Sequence, residues 1–285
     1  MDLKFGKALG GIAGTLHLYE FFSKIGVEAI FYRKCYRKQL EESDLFFKEN
    51  EKRISKNLEL FDEEYSKKIY LKAIQFRRTH RICDRAPYCK EKEYFNSLTP
   101  INDKEVFIDC GGFTGDSVLE FLKFSNNNYK KIISFEPDTI NFEQEKENLA
   151  DIKECQVFNC GVWNDNTKLH FEENNTAGSK VGADEATGIV IDVVALDNVQ
   201  ECREASFIKM DIEGSELMAL QGSKNIIINN RPILTICLYH TDEDMLSIPE
   251  WMCENLVNYK FYCRHHSYYQ QETILYAIPR ERLYE

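Results

Sequence analysis

The chain has 285 residues, of which 43% are hydrophobic, and its formal net charge is −11 at pH 7. This composition can bury a large core, either in one domain or in one domain with a small extension. The sequence contains neither an apolar stretch of about 18 residues nor a signal sequence, so we expect a cytoplasmic protein without a membrane span.

The charge is unevenly distributed along the chain. Residues 1–100 carry 20 Lys and Arg against 15 Asp and Glu, whereas residues 101–285 carry 16 against 32. The acidic second part would repel phosphates, and no recognition motif is visible, so nucleic acid is not expected as a partner. Basic clusters at 33–38 and 77–81 are interpreted either as solvated helix faces or as a surface for an anionic glycan, a nucleotide-linked sugar or a membrane.

Residues 1–99 are predicted to form a helical extension. Apolar residues recur at helical spacing from residue 54 to residue 76 and predict one amphipathic helix. The members of this apolar stripe are Ile54, Leu58, Phe61, Tyr65, Ile69, Ala73 and Phe76. The stripe either packs inside the molecule or forms the interface of a homodimer.

From residue 100 to residue 285, strand patterns alternate with helix patterns. Strands are predicted near 106–110, 131–136, 155–162, 206–211 and 232–239, and helices near 115–124, 139–149, 215–229 and 243–257. This alternation predicts an α/β fold with a mostly parallel sheet and right-handed crossovers. At the end, segments 260–265 and 272–278 predict an antiparallel closing pair.

Two segments interrupt the alternation. Thr167–Glu172 and Ile189–Leu196 are predicted to form a hairpin around the polar loop 173–188. The loop is interpreted either as a mobile lid or as a surface excursion. The walls of an acceptor pocket are expected from this loop, the N-terminal helices and residues 240–250.

The first motif lies at the end of the first predicted strand. The apolar run Val106–Ile108 ends at Asp109 and is followed by three glycines, Gly111, Gly112 and Gly115. Glycines at a strand end allow a ligand to approach the backbone N–H groups that open a helix. The dinucleotide spacing G-x-G-x-x-G and the phosphate-binding Gly-Lys-Ser/Thr are both absent. The pattern D-x-G-x-x-x-G-x-S, which ends at Ser117, instead resembles the first motif of S-adenosylmethionine-dependent methyltransferases.

The second motif repeats this design at Lys131–Asp138, where an apolar strand ends at Glu136. A carboxylate at the end of the second strand of a βαβ unit can accept both hydroxyls of a ribose, and Glu136 lies about 25 residues after Gly111, near the usual separation. Either Asp138 or Thr139 is expected to cap the helix that follows.

The third motif makes the resemblance specific. Ser206–Glu216 is again a short strand followed by acids and a glycine, and it contains Asp-Ile-Glu-Gly. With Asp109–Asp116, Phe135–Asp138 and Leu196–Asn198, the segment Lys209–Glu216 resembles the FkbM family of methyltransferases over about residues 100–280. The resemblance implies a Rossmann-like class I methyltransferase domain at 100–285 that uses S-adenosylmethionine. It also implies O-methylation of a sugar or glycan-related acceptor, with a suspected role in surface polysaccharide biosynthesis.

The resemblance also implies which residues contact the cofactor. These are Asp109, Gly111, Gly112, Thr114, Gly115, Ser117, Glu136, Pro137, Asp138, Cys160, Gly161, Val162 and Asp211. Asp109 is expected near the ammonium group, Glu136 at the ribose and Cys160–Val162 near the adenine. The chain departs from the family at Gly112–Thr114, where Ala-Asn-Ile/Val is common, so an amide near the cofactor is lost.

Methyl transfer to oxygen requires alignment of the acceptor and removal of a hydroxyl proton. Candidate bases are Asp211, Glu213 and His240, and Asp211 and His240 are predicted to end adjacent strands. Each candidate has an alternative. Asp211 could position the methionine moiety or cap a helix, Glu213 could serve only a helix N-terminus, and His240 could be a structural histidine.

Other chemistry is left open by the sequence. The clustered acids could hold Mg²⁺, but their spacing assigns no three ligands. The ten cysteines are scattered without a C-x-x-C pair and are expected to be mostly buried free thiols. A non-catalytic protein that uses the fold for binding or assembly is the main alternative, and a nicotinamide oxidoreductase is disfavoured because the spaced glycines are missing.

Overall fold

The structure is a computed structural model that describes residues 37–171 and 189–284. The predicted loop 173–188 and most of the basic cluster at 33–38 lie outside the described residues. Across the two described ranges, no helix combines the length and the hydropathy that a bilayer crossing requires.

Ten strands and eight α-helices make up the described fold. The strands are β1 (Val106–Cys110), β2 (Lys131–Phe135), β3 (Cys155–Phe158), β4 (Gly161–Val162), β5 (Thr167–Phe171), β6 (Ile189–Val194), β7 (Phe207–Met210), β8 (Ile233–Cys237), β9 (Tyr259–His265) and β10 (Thr273–Pro279). The helices are α1 (Arg37–Glu49), α2 (Glu51–Leu58), α3 (Glu64–Thr79), α4 (Asp116–Phe124), α5 (Thr139–Asn148), α6 (Glu216–Gly222), α7 (Lys224–Asn230) and α8 (Asp244–Asn255). Short 3₁₀ turns lie at Ile82–Asp84, Leu196–Asn198, Gln200–Cys202 and Arg280–Tyr284.

The main sheet has seven strands in the order β3-β2-β1-β7-β8-β10-β9. β1 pairs in parallel with β2 and with β7, and β10 lies antiparallel between β8 and β9. The predicted mostly parallel α/β sheet with an antiparallel closing strand is therefore confirmed. The strand order reverses between β1 and β7, and ligands of open α/β sheets bind beyond the carboxyl ends of the strands at such a point.

A second sheet of three strands has the order β4-β6-β5. β5 and β6 are antiparallel, so the predicted hairpin is confirmed. The single strand predicted over 155–162 is wrong, because the chain leaves the main sheet after Phe158. The Asn159 amide donates to the carbonyls of Glu136 and Pro137 at 3.0 and 3.3 Å, and Gly161 then pairs with Val193 of β6.

The single helix predicted over 215–229 is also wrong, since α6 and α7 are separated at Ser223. The Ser223 hydroxyl donates to the Ala219 carbonyl at 2.5 Å, which ends the regular turn. Just before it, Gly222 packs so closely on the Trp163 carbonyl that a Cβ atom would collide with it.

The amphipathic stripe at 54–76 belongs to two helices rather than the one predicted. The helices α2 and α3 are separated by residues 59–63, and Phe61 in this connection is itself buried. The α3 helix packs on β9, and its Ile69 and Tyr70 are fully buried within the chain. Most of the stripe therefore packs inside the molecule, with α3 on the sheet and α2 on α8, whereas Tyr65 is exposed. A homodimer stays a prediction.

The segment before β1 joins the core of the sheet. Phe95 packs against Phe107 and Phe207 with ring centroids 5.4 Å apart in both pairs. Tyr94 beside it is also buried. The domain boundary predicted at residue 99 stays a prediction, but side chains on both sides of it share one hydrophobic cluster. The nine cysteines in the described ranges are all free, and five of them are buried.

Candidate active site

The glycine loop joins β1 to α4 and defines one edge of the candidate site. Gly111 has φ +87° and Gly115 has φ +85°, a conformation that side chains other than glycine rarely adopt. A Cβ atom on Gly111 would collide with the backbone carbonyl of Asp211. The loop after β1 and the residue after β7 therefore touch at the point where the strand order reverses.

Gly112 lies directly on a buried carboxyl group. A Cβ atom there would collide with the Glu145 carboxylate and the Ser134 hydroxyl, which donates to Glu145 at 2.5 Å. Burial raises the pKa of Glu145 to about 8. The missing side chain at Gly112 is thus what allows the loop to approach α5.

Asp109 lies beneath the glycine loop and is fully buried. The Ser117 hydroxyl donates to one of its oxygens, and Lys209 Nζ lies 3.0 Å from the other. Lys209 also donates to the Gly111 carbonyl at 2.7 Å, so the ion pair supports the loop from below. Burial alone would lower the pKa of Lys209, but the charges of Asp109 and Asp211 raise it, and Lys209 stays protonated.

Sequence reasoning missed the role of Lys209. The available signal was a lysine within the apolar run of β7, a position that normally requires a buried partner. That partner is Asp109, which faces Lys209 directly across the β1–β7 pair. The placement of Asp109 near a cofactor ammonium stays a prediction, because its described contacts are with Ser117 and Lys209.

Glu136 lies at the end of β2, as predicted, and it is 6% exposed. One carboxylate oxygen accepts from the Phe113 N–H and the other from the Asp138 N–H, both at 2.8 Å. Burial raises the pKa of Glu136 to about 7 although these bonds oppose the shift. Asp138 accepts from the backbone N–H groups of Ile140 and Asn141, so of the two capping residues considered it is Asp138 that caps α5.

The remaining predicted cofactor residues surround this edge of the sheet. Cys160, Gly161 and Val162 are buried, and a Cβ atom on Gly161 would lie 3.8 Å from Pro137. The Thr114 carbonyl accepts from the Asn148 amide at 2.8 Å. The glycine loop, the acid at the end of β2 and the start of β4 are thus contiguous. Glycines at positive φ, next to a carboxylate at a strand end, fit a cofactor that carries a ribose, as S-adenosylmethionine does.

A second group of polar side chains lies just past the ends of β7 and β8. His240 Nε2 is 3.2 Å from Asp211 Oδ1, so the predicted proximity of these two residues is confirmed. The hydroxyls of Tyr239 and Tyr94 donate to Asp211 Oδ1 and Oδ2 at 2.9 and 2.8 Å. These contacts hold Asp211 at the centre of the site, and sequence reasoning missed Tyr94 because it precedes β1.

Two further carboxylates contact His240. Glu216 Oε1 lies 2.9 Å from Nδ1, and Glu213 Oε2 lies 3.6 Å from Nε2. Glu216 also accepts from the backbone N–H groups of Ile212 and Gly214 at 2.7 and 3.0 Å. This closes a turn in which Glu213 has φ +57° and Gly214 has φ +96°. This backbone conformation directs the Glu213 carboxylate toward His240.

The electrostatics of this group favour the ionised forms of His240 and Asp211. Burial alone would lower the pKa of His240, but the charge of Glu216 and the contact with Asp211 raise it well above the usual value. Burial alone would raise the pKa of Asp211, but His240 and Lys209 lower it. Burial, followed by the charge of Asp211, raises the pKa of nearby Glu93 to about 7.

A cavity of about 180 Å³ opens beside His240. It is lined by Gln39, Leu40, Glu42, Ser43, Arg77, His80, His240, Thr241, Asp242 and Gln270. Arg77 of α3 donates to Asp242 Oδ1 at 2.6 Å and to the Tyr239 carbonyl at 2.7 Å. Helices α1 and α3 therefore form one wall of the cavity, and Thr241 and Asp242 also line it. That these segments form an acceptor pocket stays a prediction.

The structure of this chain is similar to those of known methyltransferases. The methyltransferase FkbM from Methylobacillus flagellatus KT has a similar structure, with a TM-score of 0.69 and 24% sequence identity over 82% of this chain. This chain spans 60% of that protein's length. An rRNA methylase from Streptococcus thermophilus gives a TM-score of 0.39 at 12% identity, over 62% of this chain and 87% of that one. Among curated protein sequences, no significant match is found.

The sequence profile of the methyltransferase FkbM domain matches residues 109–261, which is more than half of the chain. The matched region begins at Asp109 and includes the glycine loop, Glu136, Asp211 and His240. The mostly parallel sheet with its antiparallel closing strand is that of a class I methyltransferase. The chain therefore belongs to the FkbM family of methyltransferases.

Proposed function

We propose that this methyltransferase transfers a methyl group from S-adenosylmethionine to a hydroxyl of a sugar or glycan-related acceptor, as a cytoplasmic step of polysaccharide biosynthesis. The observation that carries the proposal is the cavity lined by His240 and by helices α1 and α3, because His240 also contacts Asp211 at the point where the strand order reverses. When bound, the cofactor supplies an electrophilic methyl group.

The residues at the ends of β1 and β2 hold the cofactor in this proposal. The glycine loop receives the methionine part, and Glu136 accepts from the ribose hydroxyls with the oxygen lone pairs that its two backbone contacts leave available. Cys160–Val162 lie beside Pro137 and cover the adenine. Lys209 and Asp109 fix the loop conformation from beneath.

The lining of the cavity supports a polyhydroxylated acceptor. Amide, hydroxyl and carboxylate side chains are contributed by Gln39, Glu42, Ser43, Thr241 and Gln270, and Leu40 is the apolar residue of the lining. Sugar hydroxyls both donate and accept hydrogen bonds, so they can pair with groups of these kinds. An apolar acceptor would displace water from these groups without replacing its hydrogen bonds, which is costly.

Proton removal is assigned to Asp211, Glu213 and His240. The side chains of Asp211 and Glu213 are 24% and 26% exposed, whereas His240 is 4% exposed and lies between them and Glu216. The hydroxyl proton therefore passes to one of the two partly exposed carboxylates, and His240 fixes their positions. General-base assistance of this kind contributes about 10²–10⁴-fold to a rate.

The test is a screen of sugar nucleotides and glycan fragments with trideuteromethyl-labelled S-adenosylmethionine, read by mass spectrometry. The expected result is one acceptor class that gains the label. Asp211→Ala and His240→Ala variants should bind S-adenosylhomocysteine but transfer no methyl group. Failure of the wild-type protein to bind either S-adenosylmethionine or S-adenosylhomocysteine would contradict the proposal, and cofactor binding without transfer to any acceptor would favour a non-catalytic role.

A further inference from the structure

Two tyrosine rings from distant parts of the sequence are stacked on each other at the surface. Tyr88 is 41% exposed and Tyr268 is 40% exposed, and their ring centroids lie 4.7 Å apart at an interplanar angle of 11°. We call this pair the tyrosine platform. A tyrosine side chain offers a ligand both an apolar ring face and a polar hydroxyl. The platform therefore suits a ligand that is itself apolar on one face and polar at its edges.

The two segments that carry the platform are fixed to each other. The Cys89 N–H donates to the His265 carbonyl at 2.7 Å, which ties the backbone next to one ring to the backbone near the other. Arg85 donates to the Tyr268 carbonyl at 3.3 Å, and its guanidinium carbon lies 5.7 Å from the centre of the Tyr268 ring. The platform is thus formed before a ligand binds, which reduces the entropy that binding costs.

Part of the platform lies on the same segment as part of the lining of the cavity beside His240. Gln270 lines that cavity and follows Tyr268 by two residues, which span at most about 7 Å of backbone. Between them, Tyr269 packs its ring edge-on against that of His80, another lining residue, with centroids 5.6 Å apart. A ligand that extends a short way out of the cavity along this segment therefore reaches the platform.

We propose that the tyrosine platform binds a second sugar unit of the acceptor, so that the enzyme prefers an oligosaccharide to a monosaccharide. One face of a pyranose ring carries C–H groups that pack on an aromatic ring, whereas its hydroxyls point outward to polar partners. The inference rests on the proposed function, because the first sugar unit is the one placed in the cavity beside His240. A nucleobase also stacks on aromatic rings, so nucleotides are included in the test.

The test measures binding of the full chain to an array of defined mono-, di- and trisaccharides in the presence of S-adenosylhomocysteine. The wild-type protein should bind one series of oligosaccharides about tenfold more tightly than the corresponding monosaccharide. Tyr88→Ala and Tyr268→Ala should each remove most of this difference and leave monosaccharide binding unchanged. Tyr88→Phe should retain the difference, because phenylalanine keeps the ring face. Because both tyrosines are exposed, their substitution should change thermal stability little.

Tyr65→Ala is the matched control. Tyr65 is 43% exposed on α3, and its ring centre lies 5.0 Å from the guanidinium carbon of Arg264, so it resembles Tyr268 in exposure and in its arginine contact. This variant should keep the preference for longer glycans. Equal binding of mono- and oligosaccharides by the wild-type protein would overturn the proposal, as would equal effects of Tyr88→Ala and Tyr65→Ala. Binding of free uridine or guanosine diphosphate that Tyr88→Ala abolishes would also overturn it, in favour of a nucleobase site.

Methyl transfer separates this inference from the proposed function. With an oligosaccharide acceptor, Tyr88→Ala should raise KM about tenfold and leave kcat unchanged, because the platform contacts the acceptor away from the reacting hydroxyl. An unchanged KM in this variant would defeat the platform alone. Absence of methyl transfer from S-adenosylmethionine to any sugar by the wild-type protein would defeat the proposed function instead.

Discussion

The Asp109–Lys209 ion pair supports the glycine loop from a position with almost no solvent contact. Both side chains are at most 4% exposed, and Lys209 reaches the Gly111 carbonyl as well as Asp109. A buried pair does little for net stability in itself, because desolvation offsets the attraction, but removal of one partner leaves an uncompensated charge. The structural role of the Asp109–Lys209 pair is therefore best tested by a variant that removes only the charge of Lys209.

Lys209→Met should lower the free energy of unfolding by about 3–5 kcal/mol, because Asp109 would be left buried without its counter-charge. The measurement is urea unfolding of the two proteins. Lys130→Met, which removes an exposed lysine paired with Glu204, should cost only about 0–1 kcal/mol. Equal effects of the two substitutions would show that the Asp109–Lys209 pair is not a structural support.

Glu136 gives a prediction about pH, since burial raises its pKa from 4.5 to about 7. Between these values the folded chain holds a proton that the unfolded chain has released, so this group's contribution to stability decreases as the pH rises to 7 and is constant above it.

Ribose hydroxyls donate best to the ionised form of the Glu136 carboxylate. S-adenosylhomocysteine should therefore bind about tenfold more weakly at pH 6 than at pH 8.

Calorimetric titration at both pH values tests this expectation. Glu136→Gln should remove most of the difference, whereas Glu145→Gln, which removes the neighbouring buried carboxyl beneath Gly112, should retain it. A wild-type affinity that is the same at both pH values would exclude Glu136 from the ribose site.

At the level of single residues, the positions of acids at strand ends could be predicted from the sequence, but the side chains that hydrogen-bond to these acids could not. The positions of Glu136, Asp211 and His240 were predictable because apolar runs stop immediately before them or close to them. Tyr94 was not, because its hydroxyl reaches Asp211 across 117 positions of sequence. Pairing at that separation depends on the packing of the segment before β1 on the sheet, which no local pattern encodes.

Helix α3 is the element that connects the N-terminal part to the site. Its Arg77 is 8% exposed and donates to Asp242 and to the Tyr239 carbonyl, on both sides of His240. The neighbouring Arg78 contacts only Asp44 of α1 among the described ion pairs. The helix therefore positions the segment that carries His240.

Arg77→Ala should reduce kcat/KM for methyl transfer by about 10²-fold, since a displacement of about 1 Å at a reacting group can cost this much. Binding of S-adenosylhomocysteine should not change, because the cofactor edge lies at β1 and β2. Arg78→Ala is the control on the same helix and should retain activity. Loss of cofactor affinity in Arg77→Ala would mean that the arginine supports the whole fold instead of the His240 segment.

Among the elements, the strands of the main sheet were predicted more accurately than the breaks between elements. The predicted strands at 106–110 and 131–136 match β1 and β2 to within one residue, because each is a short apolar run bounded by charged residues. The breaks at 59–63, at Ser223 and after Phe158 were missed. The break after Phe158 depends on a tertiary contact of the Asn159 amide with the carbonyls of Glu136 and Pro137, and the break at Ser223 coincides with a hydroxyl bond to the Ala219 carbonyl. Apolar periodicity reports neither kind of contact.

At the scale of the whole molecule, the site is assembled from both predicted parts of the chain. The methyltransferase sheet provides the glycine loop, Glu136, Asp211 and His240, while the preceding segment provides Arg77 and Tyr94. The cavity lies between these parts, with α1 and α3 on one side and the segment after β8 on the other. The family match covers residues 109–261, so α1 and α3 on the other side of the cavity lie outside the matched region.

The central claim is that one crevice, formed where the strand order reverses, binds the cofactor and delivers its methyl group to the cavity beside His240. The most direct test is a crystal structure of the full chain with S-adenosylhomocysteine. We expect the ribose hydroxyls on Glu136, the methionine part against Gly111–Gly115, and the sulfur facing the Asp211–His240 pair and the cavity beside His240. A cofactor bound elsewhere, or one whose sulfur is separated from that cavity by protein, would contradict the account.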